Sequence, residues 1–286
     1  MTAAGSPVPR SGAAAREATR SFAARPQVGL TANVVQRSAL RFSNVMVDGP
    51  ALIVVRHGTK SLHSEGRQWT LHGGDAIAIA GGQSFDVANR ISDAGLYEAR
   101  WLVWDRTIIE RFAQSQPGKR TLSGAVVLKR VEAEFLAAIE RAIAAISDPA
   151  GLAEELAQHR LAEVLVWLSL AGVRFPPPRP ATTSSLLRGL LVESVGRAWT
   201  APEVAARLAM SEATLRRRLN AEGTSFGELL GDVRMSCAMT LLQSTDAPVT
   251  DIASQVGYES ASRFAIRFRK RFGFAPTAIR GHRRDA

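Results

Sequence analysis

A single cysteine, Cys237, stands among 286 residues. No intramolecular disulfide and no cysteine-based zinc site can form, as expected of a chain kept in a reducing compartment. Long apolar runs are lacking too. The longest, over residues 164–173, follows Glu163 and is too short to span a bilayer, so no membrane partnership through a spanning helix is expected. Acidic residues are scarce. Asp plus Glu number 26 against 36 Lys plus Arg, a net charge of +10 at pH 7, and such an excess favours an anionic partner such as nucleic acid or an acidic membrane surface. No Ser/His/Asp arrangement comes with a supporting motif, and isolated acids such as Asp86 or Glu98 do not make a catalytic site. The chain is therefore not expected to be an enzyme, and no cofactor is expected.

What is present suffices for two cores, since apolar residues make up 46% of the chain and its length favours two domains over one. Residues 1–25 hold Arg10, Arg16, Arg20 and Arg25 against Glu17 alone, among Ala, Ser, Gly and Pro. They are expected to be a disordered tail. From about 28 to 105 the apolar residues alternate or run in short bursts, as at Val45–Val47, Leu52–Val55, Ile77–Ile79 and Leu96–Val103, between turns such as Asp48-Gly49-Pro50 and Gly73-Gly74-Asp75. Short strands with Gly-rich turns at this spacing predict a small antiparallel β-barrel or sandwich. Two amphipathic helices follow, over 129–147 and 152–171, with Asp148-Pro149 between them. Their apolar stripes exceed what one face of a small barrel requires, and the excess is expected to form a homodimer interface. The prolines of Phe175-Pro-Pro-Pro-Arg-Pro remove backbone donors and stiffen the chain, which marks a linker over 175–185.

The rest, 186–286, reads as helical and contains a near-duplication. Thr200-Ala-Pro-Glu203 has the spacing of a capping box with proline in the first turn. The helix it starts runs through Val204, Ala205 and Leu208, turns at Ala209-Met210, and Ser211 opens a second helix with Leu215 and Leu219 one turn apart. About fifty residues on, Asp251-Ile-Ala253, Val256, Gly257-Tyr258 and then Phe264 and Phe268 repeat the pattern. Each half of the repeat is a helix-turn-helix unit, and Phe226 to Leu242 form a long helix between them. On these residues, with Gly223-Thr-Ser-Phe226, Arg234, Ala238-x-x-Leu241-Leu242, Phe272-Gly273 and Pro276, the chain resembles the AraC/XylS family of bacterial transcription regulators.

The resemblance implies an α+β chain in two parts. A cupin-like sensor and dimerisation domain, a β-barrel or sandwich with two helices, would occupy 26–174. A double helix-turn-helix domain over 186–286 would bind double-stranded promoter DNA. It also implies a cytoplasmic activator that contacts RNA polymerase and is governed by a small-molecule effector. Cupin enzymes hold a metal through closely spaced histidines and a carboxylate, whose ligand atoms must converge within about 2.0–2.2 Å of the ion. His57, His63 and His72 include no His-x-His, so no metal is expected. Two other readings stay open: a regulator governed by a protein partner, and a cupin enzyme with an attached DNA module. Trp69, Trp101 and Trp104 either line a ligand pocket or belong to the core.

Setting Leu215 and Leu219 inward on a helix of 100° per residue turns Ala213, Arg217 and Asn220 outward, with Thr214 and Arg216 beside them. Arg216 and Arg217 suit bidentate pairing to guanine O6 and N7, while Arg218, toward the flank, suits a phosphate. In the second unit the same construction exposes Ser262 and Ile266, with Arg263 at the edge. An aliphatic chain at 266 can touch only a thymine methyl or another protein. Arg267, Arg269, Lys270 and Arg271 lie in a stretch, 263–284, with eight basic residues and no acid. They are expected to clamp phosphates without reading sequence.

Overall fold

The computed structural model describes residues 19–116, 120–178 and 182–280. The first part is built from β1 (Ser21–Arg25), β2 (Gly29–Gln36), β3 (Leu40–Val47), β4 (Ala51–His57), β5 (Thr59–Ser64), β6 (Arg67–His72), β7 (Ala76–Ile79), β8 (Gln83–Arg90), β9 (Tyr97–Trp104), α1 (Arg106–Gln114), β10 (Ala125–Leu128), α2 (Ala133–Ser147) and α3 (Glu154–Leu170). All recorded pairings are antiparallel, in a six-stranded sheet β1-β2-β9-β4-β7-β10 and a four-stranded sheet β3-β8-β5-β6. The sheets form an open sandwich.

The central strands of the larger sheet are buried on both faces, which explains their unbroken apolar runs. In β4, Ala51, Ile53 and Val55 join Phe42, Leu62, Leu71 and Phe85 in the sandwich interior. Leu52 and Val54 face the other way, with Ala76, Ala78 and Leu102, against α1, α2 and α3. This outer layer uses most of the apolar stripes assigned above to a dimer. Phe135, Ile139, Ile143 and Ile146 of α2 and Leu161, Val164, Leu165 and Leu168 of α3 are all buried within the chain. Only Leu156, Val166 and Leu170 of α3 remain as exposed large apolar residues there.

Four expectations need correction. Residues 21–25, assigned to a tail, are an edge strand paired with β2. Arg25 anchors it by donating to the carbonyls of Ala145 and Leu152 at 2.9 and 2.7 Å, a role that composition cannot reveal. Residues 1–18 lie outside the described residues. The helix expected from 129 starts at Ala133, because 125–128 pair with β7. Phe175, placed in the linker, is buried against Trp104 with ring centroids 5.3 Å apart. The first helix of the second part starts at Thr183, three residues before the expected boundary, with the Ser185 amide donating to the Thr182 hydroxyl.

The second part comprises α4 (Thr183–Glu193), α5 (Ala201–Arg207), α6 (Glu212–Ala221), α7 (Phe226–Ser244), α8 (Val249–Gln255), α9 (Ala261–Phe272) and a closing 3₁₀ turn, Pro276–Arg280. It docks directly on the sandwich. The smaller sheet leaves the β1–β2 margin of the larger one uncovered, and α7 packs there. Met235, Ala238, Met239 and Leu242 of α7 and Phe264, Phe268 and Phe272 of α9 are continuous with the sandwich core. Phe42 of β3 meets Phe274 edge-on at 5.4 Å. Arg20 pairs with Asp246 at 2.9 Å, and Arg188 reaches from α4 toward Asp48.

Candidate nucleic-acid interface

Local chemistry sets each helix of the duplicated units. The Thr200 amide and hydroxyl both donate to Glu203 Oε2, at 3.4 and 3.3 Å, at the start of α5. Ser211, Ser225 and Ser260 accept the amides of Thr214, Glu228 and Arg263 and so begin α6, α7 and α9. The turn of the first unit puts Ala209 at φ +52°, and the turn of the second puts Gly257 at φ +82°. In both, the following residue donates back to the matching alanine: Met210 to Ala205 and Tyr258 to Ala253, each at 2.9 Å. The second turn is one residue longer, because Glu259 precedes its cap.

Arg234 of α7 ties the units together. Its guanidinium donates to the carbonyls of Val195 and Arg197 at 3.3 and 2.9 Å and lies over the Tyr258 ring. A Cβ at Gly257 would come within 2.6 Å of that guanidinium and 3.0 Å of the Gly196 carbonyl oxygen, at a left-handed φ of +82°, so glycine is favoured there. Below α6, Glu222 accepts the amides of Thr183 and Ser184 at 2.9 and 2.8 Å. Burial works against its charge, but the hydrogen bonds from Ser184 and Thr183 outweigh it and hold the carboxyl below its usual range.

On α6, Leu215 and Leu219 are buried, while Ala213, Arg216, Arg217, Arg218 and Asn220 are exposed. Thr214 is half-buried, its hydroxyl 2.9 Å from Ser211 Oγ, so the cap shares it with any external contact. Arg216 and Asn220 border a hollow of about 210 Å³ beside Phe226. On α9, Ser262, Arg263, Ile266, Arg267, Arg269 and Lys270 are exposed, Ile266 at 70%. Arg271 departs from its expected role. It is half-buried, with Nε 3.3 Å from Asp232 on α7, which makes it part of the scaffold between helices and not a free phosphate ligand. Arg263, Ile266 and Arg267 form one wall of a groove of about 710 Å³, whose other side holds Trp199, Gly231, Arg234 and Tyr258. Sequence reasoning did not find this groove, since its walls come from two helices, α7 and α9, and two loops far apart in the chain.

In the sheet part the histidines stay apart. His57 lies 3.9 Å from Glu98, and His72 lies 3.8 Å from Asp75. Among the described residues no group of three or more His, Cys, Asp or Glu comes together as a metal site would require. Trp104 is core, its N–H bonded to the Leu161 carbonyl at 3.0 Å, and Trp69 donates to Ala125 at 3.1 Å. Trp101, by contrast, buries an indole nitrogen with no partner among the described residues.

Residues 204–282 match the family model described as a helix-turn-helix domain. Similar curated proteins include the transcriptional activator CsvR of Escherichia coli, 37% identical over 90 residues (32% of this chain, 34% of that one). Another is the DNA-binding dual transcriptional regulator Rns of Escherichia coli, 36% identical over 93 residues (32% and 35%). The chain spans about a third of the length of these relatives. Over most of its length it shares a fold with ToxT of Vibrio cholerae. An apo form of that protein, carrying one lysine-to-alanine substitution, gives a TM-score of 0.61 at 15% identity, covering 89% of this chain and 97% of that one. The unsaturated fatty acid-bound wild type gives 0.59 at 15% identity, covering 90% and 98%. Among the described residues no helix is long and apolar enough to cross a membrane. The duplicated units with buried inner pairs and polar outer faces coincide with the stretch 204–282 that matches the helix-turn-helix model.

Proposed function

We propose that this protein is a sequence-specific DNA-binding regulator of transcription. In this reading the helical part from Thr183 onward grips promoter DNA, and the sheet part, from β1 to Phe175, governs it through the short connection between them and the apolar seam. The observation that carries the reading is the exposed basic and polar face of α6 and α9, set opposite the buried pairs Leu215/Leu219 and Phe264/Phe268. Two such helices joined by α7 suit successive major grooves, about 34 Å apart on one face of the duplex. Ala213, Thr214, Arg216, Arg217 and Asn220 would meet base edges, as would Ser262, Arg263 and Ile266 in the second groove. Arg218, Arg267, Arg269 and Lys270 would hold phosphates. The protein would work in the cytoplasm as a homodimeric activator that contacts RNA polymerase. Its control would come from a small ligand, a reading supported by the fold it shares with a protein crystallised with a fatty acid.

The test is titration of the full chain and its variants, at several salt concentrations, against a site selected from random DNA and against a scrambled one. Arg217→Ala should cost about 1–3 kcal/mol on the selected site and hardly affect the scrambled one. Arg269→Ala should weaken both alike and reduce the slope of log affinity against log salt by about one unit. Equal proportional losses from both variants on both sequences would overturn the assignment of α6 as the reader.

A further inference from the structure

The groove beside α9 and the smaller hollow beside α6 meet. Gly227, at the start of α7, lines both, and Thr200 of the groove is followed in the chain by Ala201 of the hollow. Together they make one trough that runs from Arg216 and Asn220 of α6 to Arg263, Ile266 and Arg267 of α9. The α9 end alone encloses about 710 Å³. A duplex laid with successive major grooves on α6 and α9 presents to the space between them the intervening minor groove and the sugar-phosphate strands at its edges.

On the α7 side the trough is lined by Gly227 and Gly231, one turn apart on the helix. The chain itself requires neither glycine. Neither has a left-handed φ. A Cβ at Gly227 would meet nothing within 4 Å, and one at Gly231 would meet only Arg267 Nη1, at 4.0 Å. Glycine in a helix is less stable than alanine, so these positions give up helix stability and leave open space that no side chain of this chain fills. The charge around that space suits a polyanion. Arg263 and Arg267 stand exposed on one wall, and the Arg234 guanidinium, held by the Val195 and Arg197 carbonyls, adds a fixed positive charge on the other. Against these three cations the described lining holds one acid, the exposed Glu259. Leu230 and Tyr258 supply apolar surface between them, which matches the uncharged faces of deoxyribose.

We propose that the trough seats the sugar-phosphate strand that crosses between the two major grooves, with Arg267 on its phosphates and with Gly227 and Gly231 letting it approach the backbone of α7. The proposal deepens the function proposed above and rests on it. The linking helix is then a DNA contact in its own right, and the bases between the two read segments are held at a fixed spacing without being read.

Titration of the full chain against the selected and the scrambled site, with ethylation interference on the selected one, tests the seat. Gly231→Leu and Gly227→Leu fill the trough with an uncharged side chain. Each should keep its circular dichroism and melt no lower than wild type, yet bind both sequences at least about tenfold more weakly. Each should also reduce the slope of log affinity against log salt by about one unit or more. Ser236→Leu, at an exposed position of α7 outside the trough, should bind like wild type. In the wild-type complex, ethylation of the phosphates between the two base-contacted segments should block binding. Should one glycine variant fail to fold, the other and the ethylation pattern carry the test. Folded glycine variants that bind DNA like wild type would overturn the proposal and leave the trough to a protein partner. Interference confined to the two major-groove segments would overturn it as well. Both outcomes leave α6 standing as the reader, whereas a wild-type chain that binds neither DNA overturns the seat and the proposed function together.

Discussion

The two helix-turn-helix units share a plan but differ in what they lean on. Leu215 and Leu219 of the first pack into a small core with Leu187, Leu191, Trp199, Val204 and Leu229, all from the helical part. Phe264, Phe268 and Phe272 of the second belong to a cluster that runs on into the sandwich. The same fold is thus free-standing in one copy and docked in the other. Any influence of the sheet part through packing reaches α9 and α7 before it reaches α6.

Truncating one inner residue of each unit gives the largest contrast. Phe268→Ala should cost about 3–5 kcal/mol and loosen both parts. Amide exchange should then quicken in β3 as well as in α9. Leu219→Ala, at about 2–5 kcal/mol, should leave exchange in the sandwich unchanged. Equal spread from both variants would erase the distinction.

The sandwich itself can be tested by pH. Burial lowers Lys60 to about 7 from an ordinary value of 10.5. Between those values the unfolded chain holds a proton that the folded chain has released, so stability rises with pH across that window and is lowest below it. Denaturant titrations from pH 6.5 to 9.5 should show a gain on the order of a few kcal/mol that Lys60→Met removes. A slope that persists in the variant would assign the effect elsewhere.

Smaller effects separate the two turns. Gly257→Ala should destabilise by about 1–2 kcal/mol from the left-handed backbone alone, and more from collision with Arg234. Ala209→Gly, at the matching position, should be neutral or stabilise by up to about 1 kcal/mol. Thermal melts decide both. Smallest of all, Asp246→Asn should cost less than about 1 kcal/mol and lose that effect in high salt, since the Asp246 side chain is 76% exposed.

The helical part was largely legible in the sequence because its signals are local: caps at Thr200 and Ser211, apolar pairs four residues apart, and a repeat that displays each signal twice. The sandwich was legible as a class, but β1 was not, since Ser21–Arg25 has no alternation and is held by a neighbouring strand and by Arg25 reaching α2. The burial of Lys60 was missed although a signal existed. Lys60 and Leu62 stand two apart in β5, on one face, so a buried Leu62 implies a buried lysine. The groove beside Ile266 and the pairing of Arg271 with Asp232 depend on how distant helices meet, which no window of sequence contains.

The two bonds that Glu222 makes to the first amides of α4 give the molecule a mechanical property. The prolines at 176–178 follow the buried Phe175, and α4 begins at the residues clamped by Glu222, just past the end of α6. The start of α4 is thereby tied to the end of α6, while α9 packs against the sandwich through the aromatic seam. The two outer helices are thus held from different sides, α6 through the start of α4 and α9 through the sandwich.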